Sequence, residues 1–286
     1  HRDAPLRLRP ASGVELVAAL ELRARVPTFG GLSGLVVEGD RATFVADRGL
    51  LWTADLVRDA AGQLVDLRGW SAAPVRLPGR RLAVPLDVED IARLPGGTLA
   101  VTTEQRHRII EVDADSRRPL RVIGLPPPLE DAPDNEGAEA LVDLPDGSLL
   151  AIAEAVDATG LAAAIVVAGE GAVTLAYRPE PGHKVTGATR WGDRVFILER
   201  RVSLLTGVSA VIREVAVGSV ADRAQLDGEI IARLDAAGFG ANLEGIAAAP
   251  APSGGLDLYL VSDDDFGLIL PTVVLQVRLR PMLSGR

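Results

Sequence analysis

The sequence predicts an all-β fold, a single β-propeller of four-stranded antiparallel blades, on three observations. One hairpin unit recurs five times along the 286 residues. Each copy is followed by further apolar, β-branched runs, which brings the count to about four strands per unit. No long segment with a 3.6-residue apolar period competes with that reading. Four-stranded units repeated roughly every 45 to 60 residues are the blades of a propeller.

The five copies are Leu32–Gly49, Val88–Gln105, Ala138–Ala155, Thr186–Arg201 and Glu244–Asp265. Each reads as an apolar strand, a glycine-containing turn, a second apolar strand, and an acidic residue where that strand ends. From the last turn glycine to the acid the spacing is 8 for Gly39 to Asp47. It is 7 for Gly97 to Glu104, Gly147 to Glu154 and Gly192 to Glu199, and 8 for Gly255 to Asp263. The Gly-Asp, Pro-Gly-Gly and Pro-Asp-Gly turns suit tight hairpins, because glycine tolerates positive φ.

Outer strands follow in order. Leu51–Val57 and Gln63–Trp70 complete the first unit, and Arg108–Val112 and Leu120–Ile123 the second. Ala163–Val167 with Ala172–Tyr177 complete the third, and Ala210–Val217 with Glu229–Leu234 the fourth. The last unit has only Thr272–Arg280. Val14–Arg23, an unassigned strand at the other end of the chain, is expected to complete it and close the ring, which removes the open sheet edges. Residues 1–12 are left as a loose N-terminal segment. Five blades result; six of about 48 residues is the alternative division.

Composition narrows the function. With 30 basic and 39 acidic residues the formal charge is −9, which disfavours nucleic acid and suits cations. Cysteine is absent, so disulfides, thiolate metal sites and cysteine nucleophiles are excluded. No run of 18 apolar residues survives, and no membrane insertion is expected. The chain begins at His1, and the expectation is an exported protein, periplasmic or secreted, whose leader is absent here. Oligomeric state is not legible.

In an antiparallel hairpin the start of strand one lies beside the end of strand two. Strand one is innermost in a propeller, so both ends meet at one mouth of the channel. Strand-one starts carry Asp87, Glu89, Asn135, Glu136, Glu139, Thr186, Asn242 and Glu244. Strand-two ends carry Asp47, Glu104, Glu154, Glu199 and Asp263, followed by Asp264 and Asp265. Crowded carboxylates resist ionising together, and a bound cation relieves them. Oxygen ligands in this number suit Ca²⁺ or Mg²⁺. Arg48, Arg106, His183, Lys184, Arg200 and Arg201 add cations to the same rim; arginine pairs bidentately with phosphate or carboxylate. Gly31-Leu-Ser33-Gly34 approaches a nucleophile elbow, with Ser33 beside His107 or His183, but Leu35 stands where the last glycine belongs.

At these residues the chain resembles a known family. The matching stretches are FGGLSGL (Phe29–Leu35) with ADRG (Ala46–Gly49), DVEDIA (Asp87–Ala92), NEGAEAL to PDGSLLAIAE (Asn135–Glu154), RVFILER (Arg194–Arg200), and NLEGIA to LYLVSDDDF (Asn242–Phe266). Together they resemble the phytase-like family, described as "esterase-like activity of phytase", over about residues 29–280. Asp47, Arg48, Glu89, Asn135, Glu139, Glu154, Glu199, Arg200, Asn242, Glu244, Asp263 and Asp264 carry the match. Asp265 stands where the family usually has Asn, and Leu270-Pro271-Thr272 replaces a more polar Gln-x-Thr. The resemblance implies an exported bacterial protein related to Ca²⁺-dependent propeller phytases, which hydrolyse phosphomonoesters with metal-activated water.

The expected function is therefore metal-assisted hydrolysis of a small anionic phosphate ester or related ester. A divalent cation, Ca²⁺, is assigned to Glu89, Glu139, Glu154, Glu244 and Asp263, with Asp47 or Glu104 as general base. Arg48, Arg200, Lys184, Asn135 and Asn242 are assigned to the substrate. Two alternatives stand beside it. One is a Ca²⁺-dependent lactonase, for which Asn135 and Asn242 speak; the other is a non-catalytic propeller that binds a ligand or protein.

Overall fold

A computed structural model describes residues 7–10, 13–24, 26–79, 86–104, 106–133, 136–169, 171–203, 207–222, 224–235, 241–252, 254–264 and 271–280. Five small antiparallel sheets are arranged in a ring, a five-bladed β-propeller. The five-fold division of the sequence holds and the six-fold one does not.

Blade one comprises Leu32–Glu38, Arg41–Ala46, Leu50–Arg58 and Leu64–Pro74. Blade two comprises Val88–Leu94, Thr98–Thr103, Arg108–Asp113 and Pro119–Gly124. Blade three comprises Ala138–Asp143, Leu149–Val156, Ala162–Ala168 and Gly171–Tyr177, with Gln225–Leu226 added in parallel along its outer edge. Blade four comprises Lys184–Trp191, Arg194–Ser203, Gly207–Ala216 and Glu229–Asp235. A short helix, Val217–Asp222, follows its third strand. Blade five comprises Asn242–Pro250, Leu256–Asp263 and Thr272–Leu279, and Val14–Leu22 pairs with the last of these to close the ring as expected. Within residues 1–12, which the sequence leaves outside the blades, Arg7–Pro10 pairs antiparallel with Glu229–Asp235. No helix among the described residues is long and apolar enough to cross a membrane.

The apolar residues fall into five clusters, one in each wedge between neighbouring blades. The period-two geometry of a strand explains this. In blade four, Val195 and Ile197 face blade three, whereas Phe196 and Leu198 face blade five. Both faces of an inner strand are covered, so its sequence is an unbroken apolar run rather than an alternating one.

The first strands of the five blades line the axis side by side, and each inner hairpin carries a β-bulge near its start. Blade one skips from the pair Leu32–Ala46 to Gly34–Val45, leaving Ser33 over. The same break leaves Glu139 over in blade three, Thr186 in blade four and Glu244 in blade five. In blade two the pairs jump from Val88–Thr103 to Ile91–Val101, across Glu89 and Asp90. A bulge re-aims the side chain of its extra residue. Here five bulges at one height deliver Ser33, Glu89, Glu139, Thr186 and Glu244 to one level of the channel.

Below that level the backbones close in. A Cβ on Gly245 would lie 2.7 Å from the Ser33 carbonyl oxygen, and one on Gly187 would lie 2.6 Å from that of Glu244. Asp90 fills the remaining centre, fully buried. Its Oδ1 accepts from Ile91 N at 2.8 Å, and its Oδ2 from Leu141 N at 2.8 Å and Ala188 N at 3.3 Å. One carboxylate thereby ties blades two, three and four, while burial pushes its pKa well above the carboxylate range.

Candidate functional site

Above this plug lies a cavity of about 480 Å³ at the mouth where the inner strands begin. Eight carboxylates line it: Asp47, Asp87, Glu89, Glu104, Glu139, Glu154, Glu244 and Asp263. Ser33, Asn242, Arg200, Val202 and Val208 complete the wall. Three kinds of position build it, not all of them in every blade. The bulge residue points in from the first strand in blades one, two, three and five: Ser33, Glu89, Glu139 and Glu244. A residue at or near the end of strand two follows: Asp47, Glu104, Glu154, Arg200 and Asp263. Blades two and five add the residue two before the bulge, Asp87 and Asn242. Backbone bonds hold the strand-two ends: Asp47 N donates to Gly31 O at 3.0 Å, Glu104 N to Asp87 O at 3.0 Å, and Glu154 N to Gly137 O at 2.9 Å.

Blade four breaks the acidic pattern. Glu199, expected at the rim, pairs with Val185, whereas Arg200 occupies the rim position beside Lys184. A shift of one residue along a strand reverses the face. Glu199 is therefore buried between blades three and four. It accepts from Tyr177 Oη at 2.5 Å and from Glu180 N at 2.8 Å, and Arg213 lies 2.8 Å from it.

The cavity has two electrostatic halves. On one side Arg200 donates to Glu154 Oε1 at 3.3 Å, to Glu244 Oε1 and to Asn242 Oδ1. Asn242 Nδ2 in turn donates to Glu244 Oε1 at 2.6 Å. Lys184 Nζ bonds Glu136 Oε1 at 2.8 Å and Glu154 Oε2 at 3.1 Å from just outside the cavity wall. On the other side, Asp87, Glu89 and Glu104 of blade two hold carboxylate oxygens within 4.8 Å of one another. Among the described residues no ion pair reaches these three.

That crowding dictates their protonation. Burial first, then the charges of Asp47, Glu104, Asp87 and Glu244, push the Glu89 pKa up to about 10. Burial and the adjoining Asp87 raise Glu104 to about 7. Burial raises Asp87, partly offset by the hydrogen bond that Glu104 gives it. Glu139, buried, is raised well above its usual range by burial and then by Glu89 and Glu244. Acids that keep their protons at neutral pH in a shared pocket mark a place where positive charge would be strongly stabilised.

The remaining expectations sort as follows. Asp47, Glu89, Glu104, Glu139, Glu154, Arg200, Asn242, Glu244 and Asp263 come together in one cavity. Arg48 is exposed and lies outside the residues lining it. Asn135, Asp265 and Leu270 lie outside the described residues. Asp264 braces the rim: its Oδ1 accepts from Gly31 N at 2.9 Å and its Oδ2 from Thr272 Oγ1 at 3.0 Å, tying blade five to blade one. Ser33 Oγ donates to Val88 O at 2.7 Å, and Thr186 Oγ1 to Leu243 O at 3.1 Å, so both bulge hydroxyls bridge blades. Neither histidine adjoins Ser33: His107 Nε2 lies 2.9 Å from Ala132 O, and His183 Nε2 lies 3.4 Å from Ser209 Oγ. Asp87, stationed at a strand start by the sequence but given no role, joins the tightest acidic group. Its alternation with Glu89 was the signal that both side chains share a face.

Comparison with known proteins agrees with this architecture. Among solved structures, glutaminyl cyclase from Myxococcus xanthus is 13% identical, with a TM-score of 0.51 over 93% of this chain and 96% of that one. A Clostridium thermocellum exo-β-1,3-galactanase is 10% identical, with a TM-score of 0.51 over 92% of this chain and 62% of that one. GH43B of a Bacteroides ovatus xyloglucan locus is also 10% identical, with a TM-score of 0.51 over 94% and 60%. At such identities the likeness is one of fold. No curated protein matches at a significant level. The family model described as phytase-like, esterase-like activity of phytase, matches residues 27–266, a span that contains all five inner hairpins and every rim carboxylate; the chain belongs to that family.

Proposed function

We propose that the protein is a hydrolase of a phosphate ester or related ester that works with a divalent cation held by Asp87, Glu89 and Glu104. The observation that carries this reading is the juxtaposition of three crowded carboxylates with Arg200 across one cavity. The donor set fits a hard cation: all oxygens, no thiolate, and no histidine among the described residues of the wall. This revises the ligand assignment made from sequence. Glu154 and Glu244 are engaged by Arg200, and Glu139 is buried, whereas the blade-two acids have no cationic partner among the described residues.

When bound, such an ion polarises the ester oxygen and eases deprotonation of water. The protein's own groups supply the rest. Asp47, beside the blade-two acids, accepts the proton of the attacking water. Arg200 receives the anionic oxygen of the ester, and Asn242, Glu244 and Glu154 fix the orientation of its guanidinium. Lys184 holds Glu154 in place from outside.

Thermal unfolding of chelator-stripped protein tests this reading. Saturation to 100 times the Kd stabilises a folded protein by about 2.7 kcal/mol. A rise in Tm with Ca²⁺, Mg²⁺ or Mn²⁺ is expected, lost in Glu89→Gln and Asp87→Asn, together with turnover of 4-nitrophenyl phosphate in preference to a simple lactone. Indifference of the Tm to every ion would sink the cation-assisted mechanism.

A further inference from the structure

The second strand of blade four projects furthest beyond its rim side chain; that of blade three passes Glu154 by two residues, to Val156. In blades one, two and five the second strand stops within one residue of its rim side chain, at Ala46, Thr103 and Asp263. In blade four it runs on to Ser203, three residues beyond Arg200, with Gly207–Ala216 beside it. At about 3.3 Å per residue the hairpin rises on the order of 10 Å above the level of the carboxylates. Its register pairs Arg200 with Ala210 and Val202 with Val208. Side chains two apart share a face, so Val202 stands directly above Arg200 with Val208 opposite it. Both valines line the acidic cavity, and Val202 is 63% exposed. A single exposed valine needs no explanation. Two, paired across a projecting hairpin beside eight carboxylates, form an uncharged ledge on an otherwise polar rim.

Charge restricts what reaches the cavity. Among the described residues lining it Arg200 is the one cation, and Lys184 is shared by Glu136 and Glu154. Each phosphate monoester brings roughly −1.5 to −2 charges. One such group can be matched by Arg200 and a divalent ion; several cannot, with acids from four blades around them.

We propose that the ligand of this cavity is an amphipathic monoester, one anionic headgroup at Arg200 and an uncharged alkyl or aryl arm lying along Val202 and Val208, rather than a polyphosphorylated compound. The assignment of the headgroup rests on the hydrolase reading above; the arm does not depend on turnover.

Calorimetric titration of the full chain in saturating Ca²⁺ separates the two. Methylphosphonate, octylphosphonate and inositol hexakisphosphate serve as probes, and hydrolysis of octyl phosphate is followed in parallel. Octylphosphonate should bind at least about tenfold more tightly than methylphosphonate, the gain that burial of a short alkyl segment gives. That preference should fall to near unity in Val202→Ser, at an exposed position, and in Val208→Ser, at a half-buried one, with the Tm of each variant measured beside it. Inositol hexakisphosphate should bind more weakly than octylphosphonate. Equal affinity for the two phosphonates, a preference that survives both substitutions, tighter binding of the hexakisphosphate, or no binding at all would each overturn the proposal. Arm-dependent binding without hydrolysis of octyl phosphate would overturn the hydrolase reading and leave the ligand class standing.

Discussion

Glu89 and Glu104 show how a buried carboxyl couples protonation to folding. Each has a folded-state pKa above its unfolded value near 4.5, at about 10 and about 7 respectively. The folded state therefore binds these protons more tightly than the unfolded chain does. The associated stabilisation is complete below the unfolded value and is lost as pH rises through the folded one. In the absence of a divalent ion, Tm should fall as pH rises from about 4.5 to about 7, where Glu104 titrates, and should keep falling toward pH 10 on account of Glu89. Glu89→Gln should flatten the upper part of that profile and leave a shallower fall below about pH 7, from Glu104 alone. A saturating divalent ion should flatten both, since the cation takes the place of the protons. Tm against pH, with and without ion, reads each arm separately. A profile that rises across the same interval would show that the crowding around Glu89 is relieved in some other way.

At the scale of the element, the bulged inner hairpin is the device that makes a site out of a sheet. Its extra residue faces the channel, and the next residue must let a neighbouring backbone pass. Gly245 makes the second requirement concrete: its Cβ would meet the Ser33 carbonyl oxygen at 2.7 Å and the Gly34 Cα at 2.8 Å. These are backbone atoms that no rotamer change can move. Gly245→Ala should destabilise the fold by about 1–3 kcal/mol or more, the usual cost of overpacking. Gly218→Ala, in the short helix with open space around its Cβ, should instead gain about 0.5–1 kcal/mol from the better helix former. Urea unfolding of the pair checks both signs. The same bulges mark the limit of what the sequence reveals. The recurring turn and strand spacing locates all five hairpins, because turn chemistry and apolar runs are local. It assigns blade four's rim to Glu199 rather than Arg200, because spacing counted from a turn does not say which face a residue takes. That depends on pairing across the hairpin, and a single residue reverses it. The ledge of Val202 and Val208 was hidden for a related reason: an outward valine and a core valine look alike in a strand until the length of the hairpin is known.

The whole molecule is held by five interblade wedges and one closure, and the closure lies where the chain's two ends meet. The ring architecture was legible because a repeat of four-stranded units has few ways to bury both faces of every strand. Its closure was legible because the last unit lacked a strand and the N-terminal region had one to spare. Val14–Leu22 pairs with Thr272–Leu279 along most of its length, and blade five then packs on blade one through Tyr259, Val261, Phe44 and Trp52. Gln276 seals that joint: its Oε1 accepts from Leu64 N at 2.7 Å and its Nε2 donates to Gly62 O at 2.9 Å. Asp264 secures the same joint at the rim through Gly31. The site spans this seam, since Asp47 comes from blade one and Asn242, Glu244 and Asp263 from blade five. Removing the closing strand should therefore damage stability and cation binding together. Deletion of residues 1–22 exposes the edge of Thr272–Leu279 and should lower Tm by well over 10 °C or leave the protein insoluble, a loss of several kcal/mol in a molecule of this size. Among the described residues, deletion of residues 1–12 removes Arg7–Pro10, the outermost strand of blade four, and leaves the closing strand Val14–Leu22 in place. It should shift Tm by a few degrees and leave the cation-induced rise intact. If the shorter deletion abolished the cation response and the longer one preserved it, the seam would not be what holds the site together, and the outer edge of blade four would have to be.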